Sequence, residues 1–197
     1  MLLGFPFVDI AGIVRGASVG EGLGNKFLAN IREADAIAQV VRGFVDPDVV
    51  HVDGKVDAAS DIETINTELI LADLETLDKA RNRIEKEVKG KKLEPVVLET
   101  IDEAIAFLNA GKPLSVSNID ITHIKELGLL TAKPILYVFN VDESVLTDAA
   151  KLKQLADVVA PAEAVFLDAK VESELIDLEP EEANELLQSL GQNESGL

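Results

Sequence analysis

Between Ser60 and Gly111 the apolar residues recur at three- and four-residue steps: Ile62, Ile65, Leu69, Ile70, Leu74, Leu77, Ile84 and Val88, then Leu98, Ile101, Ile105 and Leu108. That spacing lines each set along one face of a helix. Ser60-Asp61-Ile62-Glu63 has the form of a capping box and predicts a helix start there, with a stop at Gly90. A second helix is expected from Pro95 to Gly111, and two amphipathic helices so closely joined pack antiparallel. Elsewhere the apolar residues form short continuous runs, at Phe5–Asp9, Ala36–Val41, Pro134–Asn140 and Ala164–Leu167, which predict buried strands. Helical stretches at Asn25–Glu33, Asp148–Val159 and Pro180–Leu190 fill the intervals. Strands alternating with helices predict an α/β fold with a mostly parallel sheet, interrupted by an inserted antiparallel helical hairpin. Ligands of such sheets sit at the carboxyl ends of the strands, and Asp9, Asn140 and Asp168 all stand at predicted strand ends.

The 197 residues are 47% hydrophobic and 27% charged, a globular balance that excludes disorder over most of the chain. Seven Phe, one Tyr and no Trp leave the core to Leu, Ile, Val and Ala. A formal charge of −18 repels phosphate backbones over most of the surface, which argues against general nucleic-acid binding and against sequence-specific DNA binding. The predicted hairpin is itself acidic overall, which favours protein over bare RNA as its direct partner. With no cysteine, a disulfide framework, a thiolate metal site and a Cys nucleophile are excluded. There is no apolar run of membrane-spanning length and no secretory leader at Met1, so a cytoplasmic location without a membrane partner is expected.

Three short motifs follow predicted strands: Asp9-Ile10-Ala11-Gly12 (D-x-x-G), Asn140-Val141-Asp142-Glu143 (N-x-x-E) and Asp168-Ala169-Lys170. Singly each is an ordinary turn, since Asn, Asp and Gly favour turns. Gly16, Gly20, Gly22 and Gly24 alone make only a permissive loop. Their order says more. Strand–DxxG, glycine-rich loop, strand, insertion, strand–NxxE and strand–DAK is the succession of the second half of a nucleotide-binding G domain. There the first acid can hold Mg²⁺ through water, the glycine amide can meet a γ-phosphate, and the Asn and last loop can shape a base pocket.

Phe7-Val8-Asp9-Ile10-Ala11-Gly12-Ile13-Val14-Arg15-Gly16 and Gly20-Glu21-Gly22-Leu23-Gly24-Asn25-Lys26 resemble the third-motif and switch II region of the YchF-type Obg-like ATPases. These belong to the translation-factor class of P-loop NTPases. Asp61-Ile62-Glu63-Thr64-Ile65-Asn66-Thr67-Glu68-Leu69-Ile70-Leu71-Ala72-Asp73-Leu74 is equally similar to the opening of their coiled-coil insertion. The resemblance runs through essentially the whole chain and is weakest over residues 90–125. It implies a three-layer P-loop NTPase (G-domain) fold divided as G domain 1–58, helical coiled-coil insertion 59–125 and G domain 126–197. It also implies ATP with Mg²⁺ as the bound species and the ribosome as partner.

The resemblance assigns Asp9 to the metal through water and Gly12 to the γ-phosphate. Ile13 stands where Ras-like GTPases carry a catalytic glutamine, and isoleucine cannot orient water; by the resemblance, His51 matches a histidine proposed for that task in relatives. Asn140, Val141, Glu143, Asp168, Ala169 and Lys170 would form the base pocket. Val141 and Glu143 replace the Lys and Asp of the guanine-reading Asn-Lys-x-Asp, a departure that goes with ATP over GTP. Asp168 stands where Ser or Cys is common. It adds a carboxylate that should weaken binding.

No G-x-x-x-x-G-K-[ST] occurs in these residues. The family carries that loop upstream of the residue matching Phe5, and a TGS domain beyond the last helix, so an incomplete G domain from a truncated chain is expected. Loss of about four phosphate contacts at roughly 1.5 kcal/mol each weakens nucleotide affinity on the order of 10⁴-fold. Weak binding, no hydrolysis and marginal stability are the expectations for the chain alone. The alternatives are a non-enzymatic interaction module acting through the hairpin and a GTP-binding Obg-type protein.

Overall fold

The computed structural model describes residues 6–10, 23–44 and 57–189. The chain divides into two compact units: Met1–Asp35 with Thr64–Pro134, and Ala36–Glu63 with Ile135–Leu197.

The first unit is helical. Helix α1 spans Leu23–Glu33; helix α2, Ala58–Lys89, runs through the hairpin; and helix α3, Pro95–Asn109, returns antiparallel. The stripes read from the sequence make the hairpin core: Ile70, Leu77, Ala80 and Ile84 from α2 pack with Ile101, Ala104 and Leu108 from α3. Gly111, at φ 75°, follows α3 as expected of a left-handed helix end. Arg81 clamps Asp102 across the hairpin through two hydrogen bonds of 2.6 and 3.2 Å. Residues 112–133, unassigned from sequence, form two 3₁₀ turns, Leu114–Val116 and Ile121–Leu127, whose Leu114 and Ile124 join the same core. Asp120 caps the second turn, and the hydrogen bonds from Thr122 hold its carboxyl below the usual range.

Two carboxylates of this unit are buried, Glu68 and Asp73. Asp73, fully buried on α2, accepts hydrogen bonds from the backbone N–H groups of Leu130 and Thr131 at 2.8 Å each and from Thr131 Oγ1 at 2.7 Å. Burial raises its pKa above the usual carboxylate value, opposed by those three donors and by Arg32. The Lys133 ammonium donates to the carbonyls of Arg32 and Ala34 at the end of α1.

The second unit holds a three-stranded parallel sheet in the order β1 (Ile37–Arg42), β2 (Ile135–Asn140), β3 (Glu163–Leu167). The register pairs Val41 with Phe139 and Arg42 with Asn140, then Phe139 with Phe166 and Asn140 with Leu167. Helices α4 (Glu143–Leu146) and α5 (Ala149–Val159) connect β2 to β3, and α6 (Ala169–Ile176) and α7 (Pro180–Ser189) follow. Val41, Ile62, Tyr137, Phe139, Val141, Val145 and Val159 form the core, with Phe139 stacked on Phe166 at 5.2 Å.

Three expectations are corrected. Residues 6–9 of the predicted first strand, Phe5–Asp9, are in no strand, and Phe7 is 90% exposed and Val8 70%. An apolar run predicts a strand only where a neighbouring edge supplies hydrogen bonds, and the run contains no information about that edge. Helix α2 starts at Ala58, ahead of the capping box: the Asp57 carboxylate accepts from the Ser60 N–H at 3.2 Å. Asp caps a helix start as well as Ser does. The segment after β3, expected as a loop, is the helix α6.

Candidate functional site

The second unit brings most of the predicted base-pocket residues together at the carboxyl ends of β2 and β3. Asn140 is the last residue of β2, and its backbone carbonyl accepts from the Gly43 N–H at 2.7 Å just past β1. Its side-chain Oδ1 accepts from the Ala169 N–H, at the start of α6, at 3.0 Å. Val141, buried, donates its N–H to Leu167 O at 2.9 Å, which draws the two strand ends together below that contact. Asn140 is thus held in one orientation, with Oδ1 engaged and its amide nitrogen left as a donor.

Two helix starts flank this point. Asp142 caps α4, accepting from the Val145 N–H at 3.2 Å, and Glu143 is the exposed first residue of that helix. Asp168 caps α6: one of its oxygens accepts from the N–H groups of Lys170 at 2.9 Å and Val171 at 3.3 Å. The carboxylate suspected of crowding a ligand therefore has a structural task at the helix start, and the Lys170 side chain stands exposed beside it. The capping role was readable in principle from an Asp that precedes a helix-forming run.

Gly43 was not marked by sequence reasoning. A Cβ built there would come within 2.7 Å of Val141 Cγ1, so only glycine lets the end of β1 approach Val141 this closely. A lone glycine after a strand gives no sign of which side chain will press against it.

Asp9 is exposed in segment 6–10 of the first unit, which is in no helix or strand. Gly12 and His51 lie outside the described residues, and His123 is exposed in the second 3₁₀ turn. Among the described residues no group of three or more His, Asp or Glu could hold a metal ion. A single exposed aspartate fits a magnesium ion that is carried mainly by nucleotide phosphates and water, as magnesium commonly is. No described helix is long and apolar enough to cross a membrane.

No family model matches the chain. It is 47% identical over 203 residues to the ribosome-binding ATPase YchF of Bacillus subtilis (strain 168), covering 98% of this chain and 55% of that protein. It is 45% identical to the ribosome-binding ATPase YchF of Haemophilus influenzae, covering 97% of this chain and 54% of that protein. Among solved structures it is similar to the YchF GTPase of Schizosaccharomyces pombe, with a TM-score of 0.74 and 31% identity over 91% of this chain and 51% of that one. The chain spans about half the length of the curated relatives it matches. Over the stretch that it shares with these relatives, the chain belongs to the YchF family.

Proposed function

We propose that this chain supplies the base-binding half of an ATP site in a YchF-type ATPase, and that the complete protein couples ATP to association with the ribosome. The observation that carries this reading is the Asn140–Ala169 hydrogen bond at the carboxyl ends of adjacent parallel strands. With Oδ1 taken, the amide nitrogen of Asn140 remains to donate to N7, an acceptor that adenine and guanine share. Nucleotide choice then falls to the neighbours: Val141 is buried away from the base and Glu143 replaces the shorter acid that reads guanine. Asp9 and Gly12 serve the Mg²⁺ and phosphate end, and His51 the attacking water. The functional division into 1–58, 59–125 and 126–197 belongs to this proposal.

The sequence contains no G-x-x-x-x-G-K-[ST], so the chain alone binds Mg-ATP weakly and does not turn it over. Two-dimensional amide NMR at millimolar Mg-ATP tests the site. Shifts at Asn140 and Ala169 that vanish in Asn140→Ala are expected, and an unresponsive spectrum would sink the proposal for this chain. The S. pombe structure is named a GTPase, so GTP is measured beside ATP. Larger shifts with GTP would select the GTP-binding alternative.

A further inference from the structure

Residues 128–133 follow the second 3₁₀ turn and are tied to two distant elements of the first unit. Leu129, Leu130 and Thr131 are buried. The Leu130 and Thr131 amides and the Thr131 hydroxyl donate to Asp73 in the middle of α2, and the Thr131 carbonyl accepts from the Ser115 N–H at 2.7 Å. Two residues on, the Lys133 ammonium reaches back 101 positions to the Arg32 carbonyl, at 3.1 Å, and 99 positions to that of Ala34. Those carbonyls close the end of α1, where a helix presents its negative pole and favours a cation.

Arg32 adds two further ties. Its side-chain stem lies against Gly128, where an added Cβ would stand 3.4 Å from Arg32 Cγ and 3.6 Å from Cδ. Its charge faces Asp73 closely enough to favour the ionised carboxyl, against the larger effect of burial. Apolar contacts alone would let helices slide past one another in small steps. A buried carboxylate does not give up its donors so cheaply, because no water replaces them. The segment is therefore fastened to α2 at one end and to the carbonyl end of α1 at the other.

We propose that residues 128–133 are a clasp that couples the carboxyl end of α1 to the hairpin helix α2, so that a displacement of α1 is carried into the hairpin. What displaces α1 rests on the nucleotide site proposed above. Helix α1 follows Asp9 and Gly12 in the chain, the residues assigned there to the phosphate end. The clasp then passes the state of that end to the hairpin.

The test is amide hydrogen exchange, followed residue by residue by NMR on the full chain. Thr131→Val removes a donor to Asp73 and leaves Lys133 in place. It should speed exchange in the last turn of α1 about tenfold, and Thr131→Ser, which keeps the hydroxyl, should restore protection. Lys133→Met should in turn speed exchange of the Leu130 and Thr131 amides, and it decides the matter alone if Thr131→Val does not fold. Because both variants open one device, the double variant should exchange at α1 no more than about twofold faster than Lys133→Met. Factors that multiply in the double variant, or α1 amides unmoved by Thr131→Val, would overturn the clasp. So would unchanged Leu130 and Thr131 protection in Lys133→Met, or an equal acceleration at Val165 and Phe166 in β3, the mark of a uniform loss of stability. Millimolar Mg-ATP is added to the same samples. Shifts at Asn140 and Ala169 with none at Leu130 and Thr131 would overturn the coupling to nucleotide. No shift at Asn140 would sink the site proposed above instead, with the clasp still decided by exchange.

Discussion

At Asp73 two physical terms oppose each other. Burial disfavours the ionised carboxyl, while two backbone amides and the Thr131 hydroxyl favour it, and burial is the larger. The folded pKa therefore lies above the ordinary value of 3.8, and the folded protein holds that proton more tightly than the unfolded chain. The stabilisation that follows is full below the unfolded pKa and is lost as pH rises through the raised folded value. In urea melts from about pH 3.5 to 7, wild-type stability measured against Asp73→Asn is expected to fall with rising pH. Parallel pH curves would show that Asp73 does not titrate in this range. Thr131→Val removes one donor to a buried acid and is expected to cost about 1.5–3 kcal/mol. The sequence marked Asp73 only as part of a family-like run, because its partners lie 57 and 58 positions away and no local pattern encodes them.

Among the elements, helices were the most legible, because the 3.6-residue period is written directly in the apolar spacing. Boundaries followed chemistry that several residues could supply, as Asp57 did ahead of Ser60. Short α6 went unread, since its opening residues also fit a loop motif and eight residues carry little periodicity. Asp168 gives an element-scale test of cap against ligand contact. Asp168→Asn keeps an acceptor for the Lys170 and Val171 amides, and its melting temperature should stay near the parent's, while Asp168→Ala should lose about 0.5–2 kcal/mol. Because the Asn variant also removes a charge near the proposed base pocket, the Mg-ATP titration should saturate at lower concentration; an unchanged midpoint would confine Asp168 to capping. At the end of β1, Gly43→Ala forces a Cβ against Val141 and is expected to cost about 1–3 kcal/mol in a thermal melt, with the Asn140 and Ala169 amides displaced in the same spectrum.

Over the whole molecule, 36 acids against 18 bases make self-repulsion a global term. Raising salt from about 50 to 300 mM screens it, so the melting temperature of the chain should rise over that range. A melting temperature that drops with salt would mean that attractive ion pairs outweigh the net charge. Amino-acid order by itself determined the α/β class, the hairpin and three of the strands, and it singled out Asn140 and Ala169, which the fold brings into contact, because periodicity, short apolar runs and motif order are local properties of a chain. Tertiary structure alone decided that Asn140 is fixed by the Ala169 amide, that Gly43 must be glycine, that Asp73 is a buried acceptor and that residues 6–10 stand outside the sheet. Each of these depends on which distant segment arrives beside the residue, and that is set by packing of the whole fold.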